Sequence, residues 1–205
     1  MTNCGCEFDA EPGGQRRVLI VLLAINAFMF LVEVGFGVIA ESMGLIADSL
    51  DMLADAAVYG IGLYAVGKAT KYKIRAAHLS GLFQIFLGVV ISVEIIRRVI
   101  WGSEPEPLYM MWVSCVALSA NVVCLKLISR FRDGEVHMRA SWIFSRNDVV
   151  ANIGVILSGL LVYVLDSRWP DLIIGGIIVS VVIRGGISIL KEAANEQFRS
   201  QNPSL

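Results

Sequence analysis

The sequence is short of charge. Only 17% of its 205 residues are Asp, Glu, Lys or Arg, and 17 basic against 18 acidic residues leave a formal net charge of -1. So even a balance gives no electrostatic footprint for nucleic acid, and no nucleic-acid partner is expected. Histidine is nearly absent, with two residues, which excludes a His-rich metal loop. No disulfide is expected between Cys4 and Cys6, whose side of the chain is expected to face a reducing cytoplasm. Cys115 and Cys124 fall in an apolar stretch and read as small packing residues. Cys4 and Cys6 form a Cys-x-Cys-Glu tail, a weak pattern for capturing a soft metal. A cleavable signal is not expected, because the first apolar run, from near Val18, is too long and no small-residue cleavage site follows it.

Apolar residues are abundant: 56% of the chain, with a mean hydropathy of +0.70. A helix needs roughly 20 mainly apolar residues to cross a bilayer. Six stretches qualify, at about 18–40, 44–67, 78–101, 109–129, 140–165 and 172–193. The runs are continuous rather than alternating, which argues against a barrel. The expected fold is an all-α membrane protein with six transmembrane helices. The Glu-Pro-Glu-Pro run at Glu104 to Pro107 breaks the chain between the third and fourth. Segments on the side of the N-terminus hold twelve of the basic residues, among them Arg16, Lys71, Arg130 and Lys191. The opposite loops hold three: Arg97, Arg98 and Arg168. Both termini are therefore expected in the cytoplasm of a cell whose inner (plasma) membrane the chain crosses. The expected division is a cytoplasmic tail at 1–17, a six-helix domain at 18–195 and a short cytoplasmic tail at 196–205.

Charge inside the spans is informative because it is expensive. A carboxylate at the bilayer centre costs on the order of 3 kcal/mol on insertion scales. The second span keeps three, Asp48, Asp51 and Asp55. At 100° per residue they fall within an arc of about 60°, so they point one way, into the bundle. The fifth span carries Asp148, with Asn152 one turn on along the same face. Asp51, Asp55 and Asp148 all come to mid-depth and can meet if the second and fifth spans are neighbours. Carboxylate oxygens gathered in a dry pocket make a cation site; the alternative is a set of hydrogen-bonded carboxyls that fix helix packing. Asn26, Glu33, Glu94 and Asn121 read as helix-packing groups, with Glu33 and Glu94 as candidate partners for Arg146 and Arg184.

Ala47-Asp48-Ser49-Leu50-Asp51-Met52-Leu53-Ala54-Asp55 resembles the second-helix signature of the cation diffusion facilitators. The preceding Ser42-Met43-Gly44-Leu45 is similar to the family's small loop. Asn147-Asp148 through Asn152-Ile153-Gly154-Val155-Ile156 resembles its fifth helix, and Trp169-Pro170-Asp171-Leu172-Ile173 resembles the start of its sixth. The likeness covers about residues 18 to 195. It implies that the His/Asp-x-x-x-Asp pair of the second helix falls on Asp51 and Asp55, and that Asp148 supplies the matching Asp of the fifth. It also implies exchange of metal for protons by alternating access, and a homodimer. The chain departs from the pattern at Phe144, where the family has His or Asp. Asn152, by its face, is the first candidate to complete the shell, followed by Asn147, Asp48 or a water. The chain resembles short members without the soluble metal-binding domain that many others carry.

The expected function is proton-coupled export of a divalent transition-metal cation, zinc or cadmium first, with cobalt, manganese or iron admitted by an oxygen-rich site. The expected partners are that cation, protons as counter-ion, the lipid bilayer and a second copy of the chain. No cofactor is expected beyond the transported ion. The rival reading is a metal-responsive membrane sensor or assembly partner that does not transport. An organic-cation transporter is disfavoured by the lack of aromatics near the acids. An enzyme is disfavoured by the lack of an activated nucleophile or catalytic His. Phe144→His should raise zinc affinity or shift metal preference, because imidazole suits zinc. Isothermal titration with a panel of divalent metals checks this, and an unchanged panel would mean that position 144 faces elsewhere.

Overall fold

The computed structural model describes residues 12–65, 70–130 and 136–201. Cys4, Cys6 and the side chains of Phe144 and His137 lie outside the described residues. Six helices follow one another: α1 (Pro12–Ile39), α2 (Met43–Ala65), α3 (Thr70–Trp101), α4 (Pro107–Ser129), α5 (Val136–Leu165) and α6 (Trp169–Gln201). Among the described residues there is no strand. Several helices outrun their apolar stretches: α1 starts at Pro12, α3 at Thr70, and α6 continues to Gln201. Helical hydrogen bonding does not need an apolar environment, so these polar ends extend past the hydrocarbon layer.

Five helices, all but α2, are long and apolar enough to cross a membrane. α2 is 23 residues long, about 34 Å at 1.5 Å per residue, and so matches the roughly 30 Å hydrocarbon layer. Its three Asp set it apart in composition, and its place in the bundle accounts for them. α2 packs against each of the other five helices. The remaining pairings are led by α3 along α6, α1 along α2 and α4 along α5.

The polarity of the molecule is inverted relative to a soluble protein. Phe28, Leu31, Phe86, Trp112 and Tyr163 stand outward, while Asn26, Glu33, Asp48, Asp55, Asn121, Asp148 and Asn152 are buried. This is the arrangement a lipid solvent requires. The chain is a multi-pass inner-membrane protein.

Arg97 and Arg98, assigned to a loop from sequence, lie in the last turns of α3, where both bind Glu94. The expected pairing of Glu94 with Arg146 or Arg184 is therefore corrected. The i,i+3 and i,i+4 partners of Glu94 on the same helix hold it at 2.7 and 2.9 Å. Arg98 also donates to the carbonyl of Glu41, tying α3 to the turn after α1. Of the two described cysteines, Cys124 is buried, as a packing residue should be, whereas Cys115 is exposed on the outer face.

Two glycines of α3 are taken up in packing within the chain. A Cβ on Gly81 would stand 2.9 Å from the carbonyl oxygen of Gly186, and one on Gly88 would stand 2.5 Å from Ile183 Cγ1. They let α3 and α6 close on each other. Gly176, by contrast, faces open space. Gly81→Val should cost about 1–3 kcal/mol through overpacking and lower the thermal midpoint in detergent, with Gly176→Ala near neutral. Equal midpoints for the two variants would place the α3–α6 contact elsewhere.

Candidate metal centre

The site is built on α2 and α5. Asp51 and Asp55, one turn apart on α2, meet Asp148 of α5. One oxygen from each lies within 4.8 Å of the others. Asp55 and Asp148 are 3% and 2% exposed, and Asp51 is half-buried. The Asp148 carboxyl is within hydrogen-bonding reach of both α2 acids, and its Oδ2 meets no protein donor. A zinc-sized ion holding oxygens at about 2.1 Å in a tetrahedron leaves them about 3.4 Å apart. The three carboxylates thus need to close by little more than an ångström to share one cation.

Tyr59, unremarked in the sequence, donates its hydroxyl to Asp55 Oδ2 at 2.9 Å. It orients one carboxylate oxygen and leaves the other for the cation, the task of an outer-shell partner. Its position four residues after Asp55 was the available signal. Asn152 is wholly buried and donates its Nδ2 to the Asp148 backbone carbonyl at 2.8 Å. Its Oδ1 has no partner. Asp48 stands apart from the three: its carboxyl turns to Glu33 of α1.

Asp51, Asp55 and Asp148 line a cavity of about 350 Å³ bounded by α2, α3, α5 and α6. Asn147, Gln84, Arg184 and Ser188 share its wall, and along α6 it extends from Val181 to Ile189, toward the chain's C-terminal end. Arg184, a candidate partner for Glu33 or Glu94 by sequence, lines this cavity instead. Arg146 is exposed and is absent from the cavity wall.

The other end of the bundle is closed. Leu45, Ala47, Val155, Ile178 and Val182 fill it with apolar side chains. Above them Asp171, in the first turn of α6, caps the N-terminus of α2. Its Oδ2 accepts from the Met43 N–H at 2.6 Å, and its Oδ1 accepts from the Gly44 N–H at 2.9 Å and the Ser42 hydroxyl at 2.6 Å. Ser42 Oγ accepts in turn from the Leu45 N–H at 3.2 Å. The orphan donors of a helix start are satisfied by a carboxylate from a neighbouring helix, where the helix dipole also favours it. Gly175 completes the clasp, since a Cβ there would stand 2.9 Å from the Met43 carbonyl.

A cavity lined by three carboxylates and closed by apolar packing at one end, within a helical membrane bundle, is the plan of a cation transporter domain. The chain matches the cation efflux transmembrane domain family over residues 19–196, and it belongs to that family, the cation diffusion facilitators. It is similar to the metal cation efflux system protein CzcD of Cupriavidus metallidurans, with 24% identity over 197 residues, covering 90% of this chain and 62% of the relative. It is also similar to proteins named cadmium, cobalt and zinc/H(+)-K(+) antiporter. The one from Bacillus velezensis is 24% identical, over 92% of this chain and 65% of the relative. The one from Bacillus subtilis is 22% identical, over 89% and 63%. The chain spans less than two thirds of the length of these relatives.

Asp171→Ala removes the acceptor for two backbone N–H groups and the Ser42 hydroxyl. Leaving them unmatched in a buried turn should cost about 1–3 kcal/mol, read as a lower midpoint of thermal unfolding. Asp171→Asn, which keeps one acceptor oxygen, should fall between that variant and the parent.

Proposed function

We propose that the chain exports a divalent transition-metal cation, zinc or cadmium first, from the cytoplasm in exchange for protons, with Asp51, Asp55 and Asp148 as the cation's ligands and Asn152 as a fourth. The single observation that carries this reading is the convergence of three carboxylates, two buried and one half-buried, from two helices on the wall of one cavity. The names of the relatives, which concern cadmium, cobalt and zinc efflux, support the substrate class. The concentration of Lys and Arg on the side of the chain ends supports a cavity that faces the cytoplasm.

The coupling has a physical origin. A carboxylate binds metal only when deprotonated, so protons and the cation compete for the same oxygens. Three carboxylates confined together in low dielectric cannot all stay ionised without a cation, and some hold protons when the metal leaves. Alternation then requires the clasp at Asp171 to part while the cavity along α6 closes. A sensor that binds metal without moving it is the rival, and flux separates the two.

Proteoliposomes of the full chain should move Zn2+ or Cd2+ down its gradient, faster with an opposing proton gradient. Apparent affinity should fall as pH is lowered, since protonation removes ligands. Asp51→Asn, Asp55→Asn and Asp148→Asn should each weaken binding more than the tenfold to hundredfold typical of an outer-shell change. Saturable binding with no flux in the parent would favour the sensor; near-parent binding in any of the three variants would remove that residue from the shell.

A further inference from the structure

Glu33 and Asp48 form a second pair of buried carboxyls, one from α1 and one from α2, with 0% and 1% exposure. They lie within hydrogen-bonding reach of each other, yet none of their four oxygens meets a donor from the rest of the protein. An ionised carboxylate can only accept, so two of them facing each other form no hydrogen bond until one carries a proton. Among the described residues, the charged groups that face them include no base. α1 has no basic residue after Arg17, and α4, which also packs on α1, has none before Lys126 and no carboxylate. The charged groups that face the pair are acidic as well: Asp51 on α2 and, beyond it, Asp148 on α5. Like charges in a dry interior cannot both persist, so the stable form of such a pair holds one shared proton.

The pair is also out of reach of the metal. Neither residue lines the cavity that ends on Asp51, Asp55 and Asp148. Asp48 precedes Asp51 by about one turn of α2, toward the closed end, and Met29, Met52 and Ala117 pack together between the helices that carry the pair. The cavity wide enough for a hydrated ion does not include the pair, whereas a proton needs only a transient water.

We propose that Glu33 and Asp48 form a proton-holding site distinct from the metal site, so that the counter-ion proton travels between α1 and α2 while the metal uses the cavity among α2, α3, α5 and α6. This rests on the proton-coupled reading above. The step makes and breaks only O–H bonds. When a cation arrives on the triad one turn away, its positive charge favours loss of the shared proton to water. When the cation leaves, the pair takes up a proton again.

The test uses the full chain in proteoliposomes, with a pH-sensitive dye and a Cd2+ indicator, comparing the parent with Glu33→Gln. The variant keeps the shape of the side chain and lets its amide donate to Asp48, but it cannot share an acidic proton. Calorimetric Cd2+ binding should stay within about threefold of the parent, because the metal's own ligands are untouched. The number of protons moved per Cd2+ should fall, and the acceleration of Cd2+ flux by a proton gradient should be lost. Asp48→Asn should show the same loss of coupling, and it stands in if Glu33→Gln fails to fold. Infrared spectra of the metal-free parent at neutral pH should contain protonated-carboxyl absorption from the triad and from this pair, and the pair's share of it should be missing in the variants. Unchanged proton-to-metal stoichiometry in the variants, loss of Cd2+ binding in Glu33→Gln, or the same absorption in the variants as in the parent would each overturn the proposal. A parent that carries Cd2+ with no proton movement would defeat the antiport reading itself, and this inference with it.

Discussion

Everything in this bundle follows from the need to keep carboxylates out of lipid. An ionised side chain facing hydrocarbon costs kilocalories, and α2 carries three on one face. The remedy is geometric: α2 runs through the middle and touches every other helix. Once it is central, its acidic face meets α5 and α1 instead of acyl chains, and Asp148 and Glu33 arrive opposite it. The outer helices can then be apolar on the surfaces they turn outward, as Phe28, Phe86 and Trp112 are.

The central placement divides the acids into two groups with different surroundings. Asp51, Asp55 and Asp148 border a polar cavity with Asn147, Gln84 and Arg184. Glu33 and Asp48 are sealed away from it, without a donor. One helix therefore presents carboxyls about one turn apart to two environments, a polar cavity and a closely packed apolar contact. Position along the helix, and not residue type, makes the difference.

Much of this was legible in the sequence, for stated reasons. Apolar runs near the length of a bilayer gave the helices, and a 100° rotation per residue put Asp51 and Asp55 on one face. The meeting with Asp148 was expected from depth alone and required only that α2 and α5 be neighbours. Relations between helices that no local pattern records were not legible. Asp171 looked like the start of a helix, and nothing in its surroundings shows that it caps α2 from across the bundle. Glu33 looked like a packing group in need of an arginine, because the sequence does not say which acid a neighbouring helix will turn toward it. Glu94 was matched to distant cations although Arg97 and Arg98 stood on its own helix. The glycines of α3 and α6 carried a packing signal whose partner, within the chain or in a second copy, the sequence leaves open.

The Asp171 clasp fixes more than a helix end. It joins α6 to the start of α2 by hydrogen bonds of 2.6 to 2.9 Å, and under the proposed transport cycle these part before the far end opens. If the clasp favours the closed arrangement by about 3 kcal/mol, the opened arrangement is populated below about one per cent. An empty carrier would then rest almost wholly on one side, and few molecules at any moment would offer ions a way back. Turnover would depend on how much of that difference cargo and protons offset on binding. The same few hydrogen bonds thus set a trade between tightness and speed: a weaker clasp would give a faster carrier and a leakier membrane.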